Sequence, residues 1–80
     1  MLERISWQQH VVSDAEVHHG EPCIKGTRIP IAIIVGSLAD GMTFDEIVSH
    51  YPQLTTEDIR AALAYAAEMM KTEILIPLAA

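Results

Sequence analysis

Two histidines and a cysteine near residue 20 are the side chains with the most obvious capacity for metal chemistry. His18 and His19 precede Cys23, the only cysteine of the chain. Adjacent histidines in an extended chain point to opposite faces, and no second cluster supplies the remaining ligands of a tetrahedral zinc site. His10 and His50 are isolated from other ligand types. We therefore predict that the chain has no metal site.

Nucleophilic catalysis has equally little support in the sequence. Cys23 lies in an apolar run and lacks a partner that would stabilise a thiolate, so we expect it to be a small core residue. No serine, histidine and acid are spaced in a way that connects them. Gly20 and Gly26 stand in turn contexts instead of a phosphate-binding loop. The sequence therefore predicts a protein that is not an enzyme and has no cofactor.

Lys25, Thr27 and Arg28 surround Gly26 and are the first candidate binding residues. The Arg28 guanidinium can leave the turn and bind a carboxylate or a phosphate through two hydrogen bonds. The alternative is structural, because Arg28 can also pair with an acidic group on a helix and hold the turn against the core. Thr27 can cap the turn through its hydroxyl.

The charge of the chain is concentrated in its middle. The formal net charge is −6, and no lysine or arginine occurs between Arg28 and Arg60. That stretch contains five acidic residues, namely Asp40, Asp45, Glu46, Glu57 and Asp58. Binding to duplex DNA requires cations that displace counterions from phosphates. This distribution argues against a protein that binds DNA on its own.

The first third of the chain has the pattern of extended structure. Pro22–Ile24 and Arg28–Pro30 flank Lys25-Gly26-Thr27, where Gly26 can adopt the positive φ of a tight turn, so we predict a β-hairpin here. Upstream, Ile5 and Trp7 alternate with polar neighbours, and Val11-Val12 form an apolar pair. These residues predict a strand or an ordered arm that lies on the domain.

Helical spacing of apolar residues begins at Ile31. The first helix is predicted over about Ile31 to Asp40, with Pro30 at its entry and Gly41 after its end. Thr43 and Glu46 form a capping box that begins a second helix, which Pro52 ends. The apolar face predicted for the second helix consists of Phe44, Ile47, Val48 and Tyr51.

A third and longest helix follows Thr55, which has Asp58 three positions on as its capping partner. Its predicted apolar face consists of Ile59, Ala62, Leu63, Ala66 and Met70. We therefore predict a mainly α fold with a short N-terminal β-hairpin and a three-helix, homeodomain-like (winged) helix-turn-helix. The chain is treated as one domain, with a hairpin arm over residues 1–30, a helical core over 31–72 and an apolar tail over 73–80.

The apolar tail contains Ile74, Leu75 and Ile76 and needs something to cover it. It can dock on its own domain, exchange with a second copy or lie in the groove of a partner. Because an 80-residue chain builds only a small core, we expect a homodimer. The absence of a long apolar span and the single cysteine lead us to expect a cytoplasmic protein with no membrane association.

The block Gly20-Glu21-Pro22-Cys23-Ile24-Lys25-Gly26-Thr27-Arg28-Ile29-Pro30-Ile31 resembles the bacterial domain-of-unknown-function family 433. Gly41–Thr43, Tyr51–Thr55 and Asp58–Leu63 are similar to later blocks of that family, so the resemblance covers about residues 10 to 72. It implies a homeodomain-like or winged helix-turn-helix fold. It also implies an antitoxin, since many members look like antitoxins encoded beside a toxin that resembles a PIN-type ribonuclease.

The leading hypothesis for function is an antitoxin-like protein that neutralises a cognate PIN-like ribonuclease toxin, with its acidic residues facing a basic or metal-bearing site. The alternative is a DNA-binding regulator that uses the third helix. Its cations would be Arg60, Lys71, Arg28, Lys25 and Arg4 from two copies. A structural homodimer without a nucleic-acid role is a third hypothesis. We expect DNA binding by the isolated protein to be weak.

Overall fold

The computed structural model describes residues 5–13 and 20–72, which form a small antiparallel sheet and three helices. The elements in chain order are a 3-10 turn (Trp7–Gln9), β1 (Val11–Val12), β2 (Cys23–Ile24), α1 (Ile31–Ala39), α2 (Phe44–His50) and α3 (Thr56–Thr72). The predicted fold class, mainly helical with a short N-terminal pair of antiparallel strands, is confirmed. The apolar tail, residues 73–80, lies outside the described residues.

The sheet pairs different segments from those predicted. β2 pairs with β1, with Val11 opposite Ile24 and Val12 opposite Cys23. The predicted second hairpin strand, Arg28–Pro30, contributes only a bridge between Cys23 and Pro30 and the hydrogen bond from Ile24 N–H to the Ile29 carbonyl at 3.0 Å. Pro30 has no N–H to extend a ladder and is the N-cap of α1, so the chain leaves the sheet there.

The turn that links β2 to this bridge is closed by both backbone and side chain. Thr27 N–H donates to the Ile24 carbonyl at 3.0 Å, and Gly26 has φ of +82°. The Thr27 hydroxyl donates to the same Ile24 carbonyl at 2.8 Å and accepts from Ile29 N–H at 3.0 Å. Thr27 therefore fixes the turn from within, while Gly26 supplies the left-handed backbone conformation.

The helices begin where side chains satisfy the free N–H groups of their first turns. In α2, Glu46 accepts from Thr43 N–H at 2.8 Å, and Thr43 Oγ1 accepts from Glu46 N–H at 3.1 Å. In α3, Asp58 and Thr55 make the equivalent pair of bonds at 3.0 and 3.1 Å. Both predicted capping boxes are therefore present. They fix the connection between the two helices at residues 51–55.

The core lies between the sheet and the three helices. Its largest fully buried side chains are Ile24, Ile34, Ile47, Leu54 and Ile59, each worth roughly 1.5–3 kcal/mol of burial. Cys23 is also buried, as expected.

The predicted apolar face of α3 is partly wrong. Leu63 and Met70 are 39% and 61% exposed, whereas Ala61, which was not predicted, is fully buried. The buried side of α3 is thus rotated by roughly a fifth of a turn from the side that apolar periodicity indicates. The reason is the N-terminal segment of the chain, which covers one side of α3 through Trp7 and His10. These contacts join residues far apart in the sequence, so the periodicity of a single helix does not record them.

That segment is residues 5–13, which we call the N-terminal arm. The Trp7 ring stands edge-on to Tyr65, with centroids 4.9 Å apart, and its Nε1 donates to Glu68 at 3.2 Å. Nδ1 of His10 is hydrogen-bonded to Oδ1 of Asp58 at 2.9 Å. The predicted arm is therefore present, although Trp7–Gln9 forms a 3-10 turn and not a strand.

The Gly26→Val variant tests the turn. We expect it to lower the free energy of unfolding by roughly 1–3 kcal/mol, because a β-branched residue resists positive φ. No atom lies within 4 Å of a Cβ added at this position, so a clash would not be the cause. Gly26→Asn is the matched control and should cost less, since asparagine tolerates the left-handed region. Equal urea midpoints for the valine variant and the parent would contradict this account.

A double-mutant cycle on His10→Ala and Asp58→Asn tests the attachment of the arm. Asp58→Asn keeps an oxygen that can accept from Thr55 N–H but removes the carboxylate charge that faces His10, so the cycle measures the part of the His10 contact that depends on this charge. We expect a coupling energy of about 1 kcal/mol in urea unfolding. The control pairs Asp58→Asn with His50→Ala, an exposed histidine at the end of α2, and should be additive. Additivity for the His10 pair would show that the carboxylate of Asp58 gains no stability from His10.

Candidate functional site

The turn between β2 and α1 presents two cationic side chains to solvent. Lys25 and Arg28 are both exposed, on either side of the Gly26 turn. Within residues 5–13 and 20–72, Arg28 makes no hydrogen bond or ion pair, so the bracing contact considered above is not seen there. Thr27, by contrast, is half-buried and uses its hydroxyl inside the turn. Lys25 and Arg28 are therefore available to a partner, and Thr27 positions them.

Arg60 lies in the first turns of α3 and is occupied by its own helix. Its Nη1 donates to Oε1 and Oε2 of Glu57 at 3.1 and 3.3 Å. An exposed ion pair of this kind contributes little stability, but it offsets the arginine charge locally. The start of α3 is the part that a helix-turn-helix protein places against base edges and phosphates. Here that part carries Glu57 and Asp58 together with an arginine already paired to a carboxylate.

Lys71 is far from the other candidate cations on α3. It is eleven residues after Arg60, which is about 16 Å along the helix axis. It lines a cleft of about 160 Å³ between α3 and the N-terminal arm, together with Ile5, Trp7, Ala64, Ala67 and Glu68. The structure therefore gathers Lys25 and Arg28 on one turn and leaves Arg60 and Lys71 at separate points. The remaining candidates, Ile74, Leu75 and Ile76, lie outside the described residues.

Exposed carboxylates mark the ends of the helices, and we call this set the acidic helix ends. It consists of Asp40 at the end of α1, Asp45 and Glu46 in the first turn of α2, and Glu57 in the first turn of α3. Glu46 is held by its capping contacts. Negative charge near a helix N-terminus is stabilised by the helix dipole, so the first-turn carboxylates are favourably placed.

The structure supplies no support for thiol or metal chemistry in the part of the chain that it describes. Cys23 is 2% exposed, and burial, followed by the nearby charge of Glu21, raises the pKa of its thiol. The thiol therefore stays protonated at neutral pH. The described residues hold no group of three potential metal ligands, and His18 and His19 lie outside them. None of the described helices has the length and apolar character needed to cross a membrane.

His10 is the functional-site neighbour that the sequence did not reveal. Its ring binds Asp58 of α3, while its carbonyl accepts from Lys25 N–H at 2.7 Å. It therefore connects the cationic turn to the start of α3. No sequence signal predicts this contact, because the paired side chains are 48 residues apart. The Arg60–Glu57 pair had a local signal, since residues three apart on a helix are neighbours.

Comparisons with known proteins agree with this fold. A crystal structure of a DUF433 member protein from Anabaena variabilis superposes with a TM-score of 0.74 at 31% identity, over 80% of this chain and 63% of that one. The curated "Uncharacterized protein y4eO" of Sinorhizobium fredii is 34% identical over 56 residues, which are 70% of this chain and 25% of the relative. The chain thus spans under two thirds of both similar proteins.

A family model described as "Protein of unknown function (DUF433)" matches residues 11–66, within the range over which the sequence resembles that family. The match includes both strands, the Gly26 turn, α1, α2 and the first two thirds of α3. Since it covers more than half of the chain, the protein belongs to the DUF433 family.

Proposed function

We propose that this chain is an antitoxin-like protein that neutralises a cognate PIN-like ribonuclease toxin by occupying its surface. The observation that carries the proposal is the set of exposed carboxylates at the acidic helix ends. The arginine that follows this part of the sequence, Arg60, is already paired with Glu57 and does not neutralise the other carboxylates. A ribonuclease must hold a phosphodiester through cations or bound metal, so its site attracts carboxylates. A chain with net charge −6 also approaches such a site favourably.

The acidic helix ends suit binding because the helices hold them in place before a partner arrives. Asp45 follows the Thr43 cap by two positions, and Glu46 is fixed by that cap. Carboxylates on an ordered helix turn lose less conformational freedom on binding than those on a loop. In this proposal Asp40 and Asp45 contact the cationic site of the nuclease.

The cationic turn supplies a second contact in the proposed complex. Lys25 and Arg28 are exposed and can bind acidic residues at the edge of the nuclease, where Arg28 offers two parallel hydrogen bonds. Lys71 and the apolar residues Ile74, Leu75 and Ile76 are the proposed third contact with the partner. We place both proteins in the cytoplasm.

A role without catalysis is part of the proposal. The segment that matches y4eO is a quarter of that protein, so a domain of this kind also occurs within a longer chain. The proposed protein acts by contact with its target and carries out no reaction.

DNA binding is the alternative function, and the arrangement of charged side chains at the start of α3 argues against it. Asp58 is engaged by His10 and Thr55, and Glu57 holds Arg60, so the start of the helix offers carboxylates where phosphates would lie. In the proposed system, operator binding depends on the toxin, which brings basic surface or holds two antitoxin copies together.

The first test uses the product of the adjacent reading frame, which the proposal expects to be a nuclease, with Asp45→Lys as the variant. We expect the parent chain to bind the purified nuclease and to restore growth of cells that express it. Reversal of an interfacial charge should weaken the affinity in calorimetry by about tenfold or more. Gln8→Lys, which introduces a lysine on the exposed part of the N-terminal arm, should bind like the parent. Absence of binding by the parent, or equal loss in both variants, would refute the proposal.

The second test concerns DNA. A salt series with the purified chain and its own upstream region should show weak or undetectable binding at physiological salt, because too few cations are available for several phosphate contacts. Addition of the nuclease should increase the binding. The contrary result would be submicromolar affinity of the chain alone, with the logarithm of the binding constant falling against the logarithm of salt concentration at a slope of roughly −4 or steeper. It would show that Arg60, Lys71 and the turn cations do neutralise several phosphates.

A further inference from the structure

Helix α1 differs from the other two helices in having no ionisable side chain over its nine residues. Ile31 and Ile34 are buried against the core, whereas Ile33 points away from it and is 45% exposed. A surface helix ordinarily places charged or polar residues on its outer side. The exposed side of α1 is apolar instead, and we call it the α1 face. It consists of Ala32, Ile33, Gly36 and Ala39.

Because Gly36 has no side chain, the surface of the helix is recessed at the centre of the α1 face. A Cβ at this position would meet nothing within 4 Å, so packing inside the chain does not require glycine. Glycine inside a helix is less favourable than alanine, which leaves its presence without an internal reason. The close approach of a second helix is such a reason. The neighbouring Ser37 hydroxyl donates to the Ile33 carbonyl at 2.8 Å, so its hydrogen-bond donor is already satisfied within the helix.

The charge of the chain selects the occupant of this face. A basic partner is drawn to the acidic helix ends and gains no charge contact on the α1 face itself. In a two-fold dimer, a surface patch of one chain contacts the same patch of the other chain. A contact through Asp45 or Glu57 would therefore bring like charges together. Contact through the uncharged α1 face avoids that repulsion. The chemistry of the face therefore fits a second copy of this chain.

The ends of α1 indicate the direction of pairing. The helix begins at Pro30 with no side-chain cap and no acidic residue in its first turn, and it ends at Asp40. A carboxylate at a helix C-terminus is opposed by the dipole of its own helix. In an antiparallel pair, Asp40 of each copy lies toward the N-terminus of the other copy's helix. In that arrangement the unfavourable interaction of Asp40 with the dipole of its own helix is offset by a favourable interaction with the N-terminus of the other helix.

We propose that the α1 face packs antiparallel against the α1 face of a second copy, with Ile33 of each chain over Gly36 of the other. A nine-residue helix is about 14 Å long, so the contact is smaller than that of stable dimers. The dimer is therefore weak and forms in a concentration-dependent manner. It leaves Asp45, Glu46 and Glu57 of the acidic helix ends exposed, places Asp40 at its edge, and does not depend on the nuclease proposed above.

The test is sedimentation equilibrium of the full chain from about 10 μM to about 1 mM, a range suited to weak association. The parent mass should rise with concentration from 8.8 kDa toward twice that value. Ile33→Glu should stay monomeric, because it places like charges at the two-fold contact. Met70→Glu is the matched control, since it adds the same charge at a more exposed apolar side chain on α3, and it should associate like the parent.

Gly36→Ala provides a second variant that does not threaten folding. It should raise the melting temperature of the dilute protein and weaken association at least several-fold, because the added methyl group fills the notch for Ile33. Far-UV circular dichroism checks that every variant is folded. A parent that is monomeric across the range would overturn the proposal. So would association that Ile33→Glu and Met70→Glu affect equally, which would place the contact elsewhere.

Discussion

The hydrogen bond between His10 and Asp58 is the contact on which the arrangement of this small domain depends. One oxygen of the Asp58 carboxylate accepts from Thr55 N–H and begins α3, while the other binds the His10 ring. The His10 carbonyl accepts from Lys25 N–H. The N-terminal arm, the cationic turn and the longest helix are therefore tied to one pair of side chains. Both are partly buried, so the bond is less screened than one in open water.

The N-terminal arm, held by this bond and by the contacts of Trp7 with Tyr65 and Glu68, covers one side of α3. Because the arm covers the side with Asp58 and Tyr65, small residues such as Ala61 are enclosed, and Leu63 and Met70 remain exposed. The 17 residues of α3 span about 25 Å, much more than the nine residues of α1 or the seven of α2 can cover. The exposed apolar side chains on α3 thus result from the arm contact and from helix length.

Local rules in the sequence predicted the helices well and the long-range contacts poorly. The capping pairs Thr43–Glu46 and Thr55–Asp58 act within one turn, so their spacing alone revealed them. The hairpin was assigned to the wrong strand because Pro30, which fits a turn end, also starts α1 and cannot continue a ladder. The acidic character of the candidate site was visible as composition. Whether a given charged side chain is paired within the fold or free for a partner was not visible, since that depends on which neighbours the fold places beside it.

The positions of the carboxylates separate those that serve folding from those that remain for a partner. Glu46 and Asp58 are N3 residues of capping boxes, and the helices need them. Asp45 gains only a dipole interaction in α2, and Asp40 stands at the end of α1, where the dipole opposes a negative charge by about 0.3–1 kcal/mol. Stability of the isolated chain does not explain Asp40. In the two proposed complexes a partner presents positive charge to Asp40, either from a nuclease site or from the N-terminus of a second α1. Asp40 is consequently the side chain at which the two proposed surfaces meet, and binding at one of them is expected to influence the other.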